Sequence, residues 1–78
     1  MDHRLWCAAQ LLYLFRDSAE DGAVDWYIML MQQPRLLEHA EKGGLVRVVV
    51  RDGERGVVLT DKGKEEVLWA ALMTNGDT

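Results

Sequence analysis

Nucleophiles and bases are few enough in this chain to be weighed one at a time. It has one cysteine, Cys7, one serine, Ser18, and two histidines, His3 and His39. Nucleophilic catalysis needs a nucleophile beside an oriented base. Cys7 falls on a helical stretch and Ser18 in an acidic run, and no triad is evident. Gly43-Gly44 reads as a helix cap rather than a phosphate-cradling loop. Met1-Asp2-His3 has the amine-to-histidine arrangement that chelates copper(II) or nickel(II), but a histidine at the third position arises often by chance. The expectation is a protein that is not an enzyme and has neither metal nor cofactor. A lone cysteine forms no intrachain disulfide and no cysteine-rich zinc site, which points to a reducing compartment. The start Met1-Asp2-His3-Arg4-Leu5-Trp6 lacks the apolar run of a signal peptide, and no stretch approaches about 18 apolar residues. A cytoplasmic chain is expected.

With catalysis set aside, the residues left to do chemistry are the charged ones, and their chemistry is binding. The formal net charge is −4 over 78 residues. Residues 1–33 carry two basic and five acidic side chains, residues 65–78 no basic and three acidic ones. Residues 34–64 carry seven basic against five acidic, net +2. Any phosphate-binding surface therefore belongs to the middle of the chain, and its field is weak.

The elements that position these charges follow from periodicity. Seventy-eight residues, 49% of them apolar with a single proline, make one globular domain over 1–78. Leu5, Ala8, Ala9, Leu12 and Phe15 recur at helical spacing and define helix 1, about 2–16, with Leu11 and Leu14 widening the stripe. Asp17 to Gly22 reads as a loop. Asp25 is placed to cap helix 2, about 25–32, where Trp26-Tyr27-Ile28-Met29-Leu30-Met31 is apolar all round; a strand is the competing reading. Pro34 suits the first position of helix 3, about 34–43, whose inner side is Leu36, Leu37 and Ala40.

From Leu45 the period becomes two. Val46, Val48 and Val50 point one way, and Arg47, Val49 and Arg51 the other. A polar turn, Arg51 to Gly56, and the returning Val57-Val58-Leu59 make a β-hairpin over about 45–60. Thr60 or Asp61 caps helix 4, about 61–73, with Val67, Leu68, Ala71 and Leu72 as its apolar stripe and Thr74 to Thr78 frayed. The fold class is mainly α with a β-hairpin, in the order α-α-α-β-β-α.

Ala40-Glu41-Lys42-Gly43-Gly44-Leu45-Val46 resembles the segment that closes the recognition helix in winged-helix regulators. Asp52-Gly53-Glu54-Arg55, followed by Val57-Val58-Leu59-Thr60-Asp61-Lys62-Gly63, is similar to the wing tip and the exit from the wing in the MarR and PadR regulator families. The resemblance spans about Pro34 to Leu72. It implies a winged helix whose third helix enters the major groove of duplex DNA while the wing lies by the backbone or minor groove. The DNA-facing set would then be Arg35, Glu38, His39 and Lys42 on helix 3, with Arg47, Arg51 and Arg55 on the wing. Glu38 is spaced to pair with Arg35 and Lys42, and Arg55 to pair with Asp52.

Two functions follow. One is a dimeric DNA-binding transcriptional regulator. The other is a winged-helix module that binds a protein instead, as a subunit of an assembly or as an acidic inhibitor of a nucleic-acid-handling protein. The MarR dimerisation helices are absent, so a homodimer or protein partner would use Trp6, Trp26, Tyr27, Met31, Trp69 or Met73. The tryptophans are by default core or core-edge residues. Helix 2 separates the readings, because its second apolar face points outward unless something covers it.

Overall fold

The structure, a computed structural model, describes residues 3–16 and 22–75. The loop read at 17–22 lies outside them except for Gly22, as do the Met1-Asp2 amine arrangement and Gly76 to Thr78. Four helices and three strands follow in chain order: α1 (His3–Arg16), β1 (Val24–Asp25), α2 (Trp26–Gln32), α3 (Pro34–Lys42), β2 (Val46–Arg51), β3 (Glu54–Leu59) and α4 (Asp61–Asn75). The architecture is mixed α+β, and its order agrees with the expected α-α-α-β-β-α apart from one added strand. The short strand β1 is an addition to the sequence reading. It pairs antiparallel with β3, Val24 opposite Val57 and Asp25 opposite Gly56, so the sheet order is β1-β3-β2. Two residues are too few for alternation to reveal a strand.

Local chemistry sets the joints. The Asp25 carboxylate accepts the Ile28 N–H at 2.9 Å and starts α2. Pro34 opens α3, where its missing N–H leaves no bond unmade. The helix ends in a Schellman motif. Gly44, at φ +71°, takes the left-handed position; its N–H reaches the Glu41 carbonyl at 3.1 Å, and the Leu45 N–H reaches the Ala40 carbonyl at 2.8 Å. Both central residues of the hairpin turn, Asp52 at φ 54° and Gly53 at φ 80°, have positive φ, as a two-residue type I′ turn requires. The strands therefore run closer to the tip than the polar stretch Arg51 to Gly56 implied.

The core gathers Cys7 and Leu11 of α1, Met29 of α2, Leu36, Leu37 and Ala40 of α3, and Val46 and Val57 of the sheet. Each large apolar side chain so buried contributes about 1.5–3 kcal/mol. On α1 the buried centre is Cys7, Ala8 and Leu11, whereas Leu5, Ala9, Leu12 and Phe15 are half-buried. The helix packs on α3 and on α4, so its inner surface is wider than the stripe of threes and fours, and its midline is shifted.

The larger correction concerns α4. Leu68 and Leu72, expected on its inner stripe, are 62% and 66% exposed, while Gly63 and Ala70 are buried. A close backbone approach sets this phase: a Cβ on Gly63 would lie 1.9 Å from the Leu45 carbonyl oxygen. Thr60 locks the same joint. Its N–H donates to the Leu45 carbonyl at 2.9 Å, its hydroxyl donates to the Gly44 carbonyl, and the same oxygen accepts the Gly63 N–H at 3.1 Å. With Gly63 pressed on the α3–β2 junction, Ala70 two turns later faces inward, and Leu68 and Leu72 turn to solvent. The helix also continues through Asn75, beyond the expected end.

Candidate nucleic-acid interface

The outward side of α3 is polar without a break. Leu36, Leu37 and Ala40 are inside, and Arg35, Glu38, His39 and Lys42 are exposed, as helical phase requires. Lys42 and Glu38 form an (i, i+4) ion pair at 3.0 Å. That hydrogen bond, then the Lys42 charge, holds the Glu38 carboxyl below the ordinary carboxylate range, with His39 a lesser contributor. The fixed carboxylate offsets part of the basic surface of the helix.

The hairpin register sorts the wing residues onto two faces. Arg47 stands opposite Val58, Val49 opposite Gly56 and Arg51 opposite Glu54, so Arg47 and Arg51 share one face. Val50 stands opposite Arg55 and Val48 opposite Val57, which puts Arg55 on the other face, the one that carries the core valines. There its guanidinium lies 5.0 Å from the Trp26 ring centroid, a cation–π contact that ties the wing to α2. The expected pairing of Arg55 with Asp52 gives way to this contact. Arg47 and Arg51 are exposed, and Arg51 also borders an open depression shared with Ala23, Val49 and Glu54.

A third cluster joins α1 to α3. His3, Trp6, Arg35 and His39 line an open depression of about 470 Å³. The two imidazole rings are 6.0 Å apart, and Trp6 meets His39 edge-on at 6.2 Å. His3 and His39 are 36 positions apart, so no periodicity connects them; only the packing of α1 on α3 does. On the same first turn of α1, Arg4 forms a bidentate pair with Glu66 of α4, at 3.0 and 3.1 Å, and covers the Trp69 ring at 4.1 Å.

The residues considered for a protein partner divide by exposure. Trp6 and Trp26 pack against the core, and Trp69 is half-buried beneath Arg4. Met29 is the core methionine, whereas Tyr27, Ile28 and Met31 leave an uncovered apolar strip on α2, with Tyr27 63% and Met31 65% exposed. On α4 Met73 is exposed together with Leu68 and Leu72, which the sequence reading places on the inner stripe, and Tyr13 of α1 is exposed as well. Cys7 is inside the core, where burial, and secondarily the Glu66 charge, pushes its thiol above the ordinary range. Among the described residues no three histidine, cysteine, aspartate or glutamate side chains come together to hold a metal ion, and no helix is long and apolar enough to cross a membrane.

The surface thus offers an exposed helix with cationic and hydrogen-bonding side chains, a hairpin standing beside it, and exposed apolar side chains on α2 and α4. No family model, curated protein or solved structure matches the chain.

Proposed function

We propose that this chain is a small winged-helix DNA-binding protein, a cytoplasmic transcriptional regulator that acts as a dimer. Helix α3 enters the major groove, and Arg51 at the wing approaches the phosphates. The observation that carries this reading is the complete sorting of α3, with Leu36, Leu37 and Ala40 inside and Arg35, Glu38, His39 and Lys42 outside. Its order within a helix–turn–helix and hairpin, together with the resemblance of Ala40 to Val46 to winged-helix regulators and of Asp52 to Gly63 to the wing of the MarR and PadR families, supports the same assignment. The exposed Leu68, Leu72 and Met73 of α4 supply the apolar surface for a second copy.

A specific observation favours a second reading. The α2 strip of Tyr27, Ile28 and Met31 is uncovered, and the net charge is −4; both suit a module that docks on a basic protein rather than on DNA. Fluorescence anisotropy with random-sequence duplex DNA at about 50 and then about 200 mM salt separates the two, because phosphate-dominated binding collapses over that interval. A steep loss of affinity with salt is the regulator's signature. Absence of binding at the lower salt overturns it in favour of the protein-docking module.

A further inference from the structure

We infer that the depression formed by His3, Trp6, Arg35 and His39 is a phosphate clamp, in which the first turn of α1 and the outer face of α3 hold one backbone phosphate of the duplex between them. This rests on the DNA-binding reading of α3 and extends it to α1, whose His3 and Trp6 belong to no part of the recognition surface expected from sequence.

The chemistry of the lining selects the ligand. Two imidazoles 6.0 Å apart would suit a transition-metal ion, but Arg35 lines the same depression, and its fixed charge opposes a cation there. For an oxyanion all three polar groups act together. The guanidinium offers a planar fork of N–H donors, and each imidazole offers one N–H when neutral and two when protonated. Among the described residues no carboxylate lines the depression, although the chain as a whole is acidic. Two described carboxylates of the helices packed on α1 are already paired: on α3 Glu38 is bound by Lys42, and on α4 Glu66 is bound by Arg4. Trp6 gives one wall a rigid apolar plane and holds His39 edge-on. An opening of about 470 Å³ admits a phosphate group together with part of its sugar.

The experiment measures duplex affinity of the full chain for the wild type and for His3→Ala, His39→Ala and Arg35→Ala, with the ring-proton NMR signals of His3 and Trp6 followed in the same titrations. Inorganic phosphate is titrated in parallel. The expected result is a loss of about tenfold for His3→Ala. Arg35→Ala loses affinity as well, and the duplex shifts the His3 and Trp6 signals. Duplex binding that leaves those signals and the His3→Ala affinity unchanged overturns the clamp while α3 remains the reading helix. Response to inorganic phosphate without any duplex binding overturns both, and reassigns the depression to free phosphate.

Discussion

Helices α3 and α4 each read in sequence as a helix with an apolar stripe, α3 opened by Pro34 and α4 capped by Thr60, yet they meet solvent differently. In α3 Leu36, Leu37 and Ala40 are inside, and beyond Pro34 the exposed face is polar. In α4 the exposed face carries Leu68 and Leu72. The difference comes from what fixes each helix about its own axis. Leu36, Leu37 and Ala40 are drawn into the core, so hydrophobic burial orients α3. Backbone contact orients α4: Gly63 meets Leu45 with no room for a side chain, and Thr60 pins the junction. A helix oriented by burial displays a face suited to a polar partner such as DNA. One oriented by a fixed joint can leave leucines outside, as a second copy of the chain or another protein requires.

The strongest way to break this contrast is at the joint. Gly63→Ala should cost at least about 3 kcal/mol, because the new Cβ collides with backbone rather than with a side chain that can move aside. Gly43→Ala is the control: its Cβ would stand 3.3 Å from the His39 carbonyl oxygen, so denaturant unfolding should register about 1 kcal/mol or less. Equal losses would show that the α4 joint is not special. Thr60→Val removes both the cap on Gly63 and the hydrogen bond to Gly44, and about 1–2 kcal/mol should disappear from the urea midpoint analysis.

On the outer surface the expected stability effects are smaller. Leu68→Glu combined with Leu72→Glu should change the stability of the monomer by no more than about 0.5 kcal/mol, while abolishing self-association in sedimentation experiments. A large loss of monomer stability would mean that these leucines are core after all. Glu38→Gln releases Lys42 and should raise duplex affinity a few-fold. The folded Glu38 carboxyl lies below its unfolded value, so in the wild type the pair holds above the unfolded range and is lost as pH falls through the folded value. The affinity advantage of Glu38→Gln should therefore narrow in acid. Cys7 has the opposite sign. Its raised thiol favours the folded state below the ordinary range, and that contribution fades at higher pH; replacing it with alanine should flatten the alkaline side of the stability profile.

Much of this arrangement was readable from residue order. Asp25 as a cap, Pro34 opening α3, Gly43-Gly44 ending it and the alternating valines of β2 are signals carried by one to six neighbouring residues, and each fell where such signals place it. Tertiary closeness was not readable. The phase of α4 depends on a contact between Gly63 and a carbonyl 18 residues earlier. The outward Leu68 and Leu72 follow from that contact, whereas hydropathy alone places them inside. The same limit hid the meeting of His3 with His39 and the turning of Arg55 onto Trp26. Strand alternation does place Arg55 opposite Arg51 in face, but only once the tip is known to be Asp52-Gly53, since a one-residue change of register reverses it.

The measurement that bears most directly on the division between α3 and α4 is a backbone-amide NMR titration with a short DNA duplex. The account predicts shifts concentrated at Arg35, Glu38, His39 and Lys42, with the amides of Leu68 and Leu72 unmoved. Shifts confined to α2 or α4, with α3 silent, would contradict it.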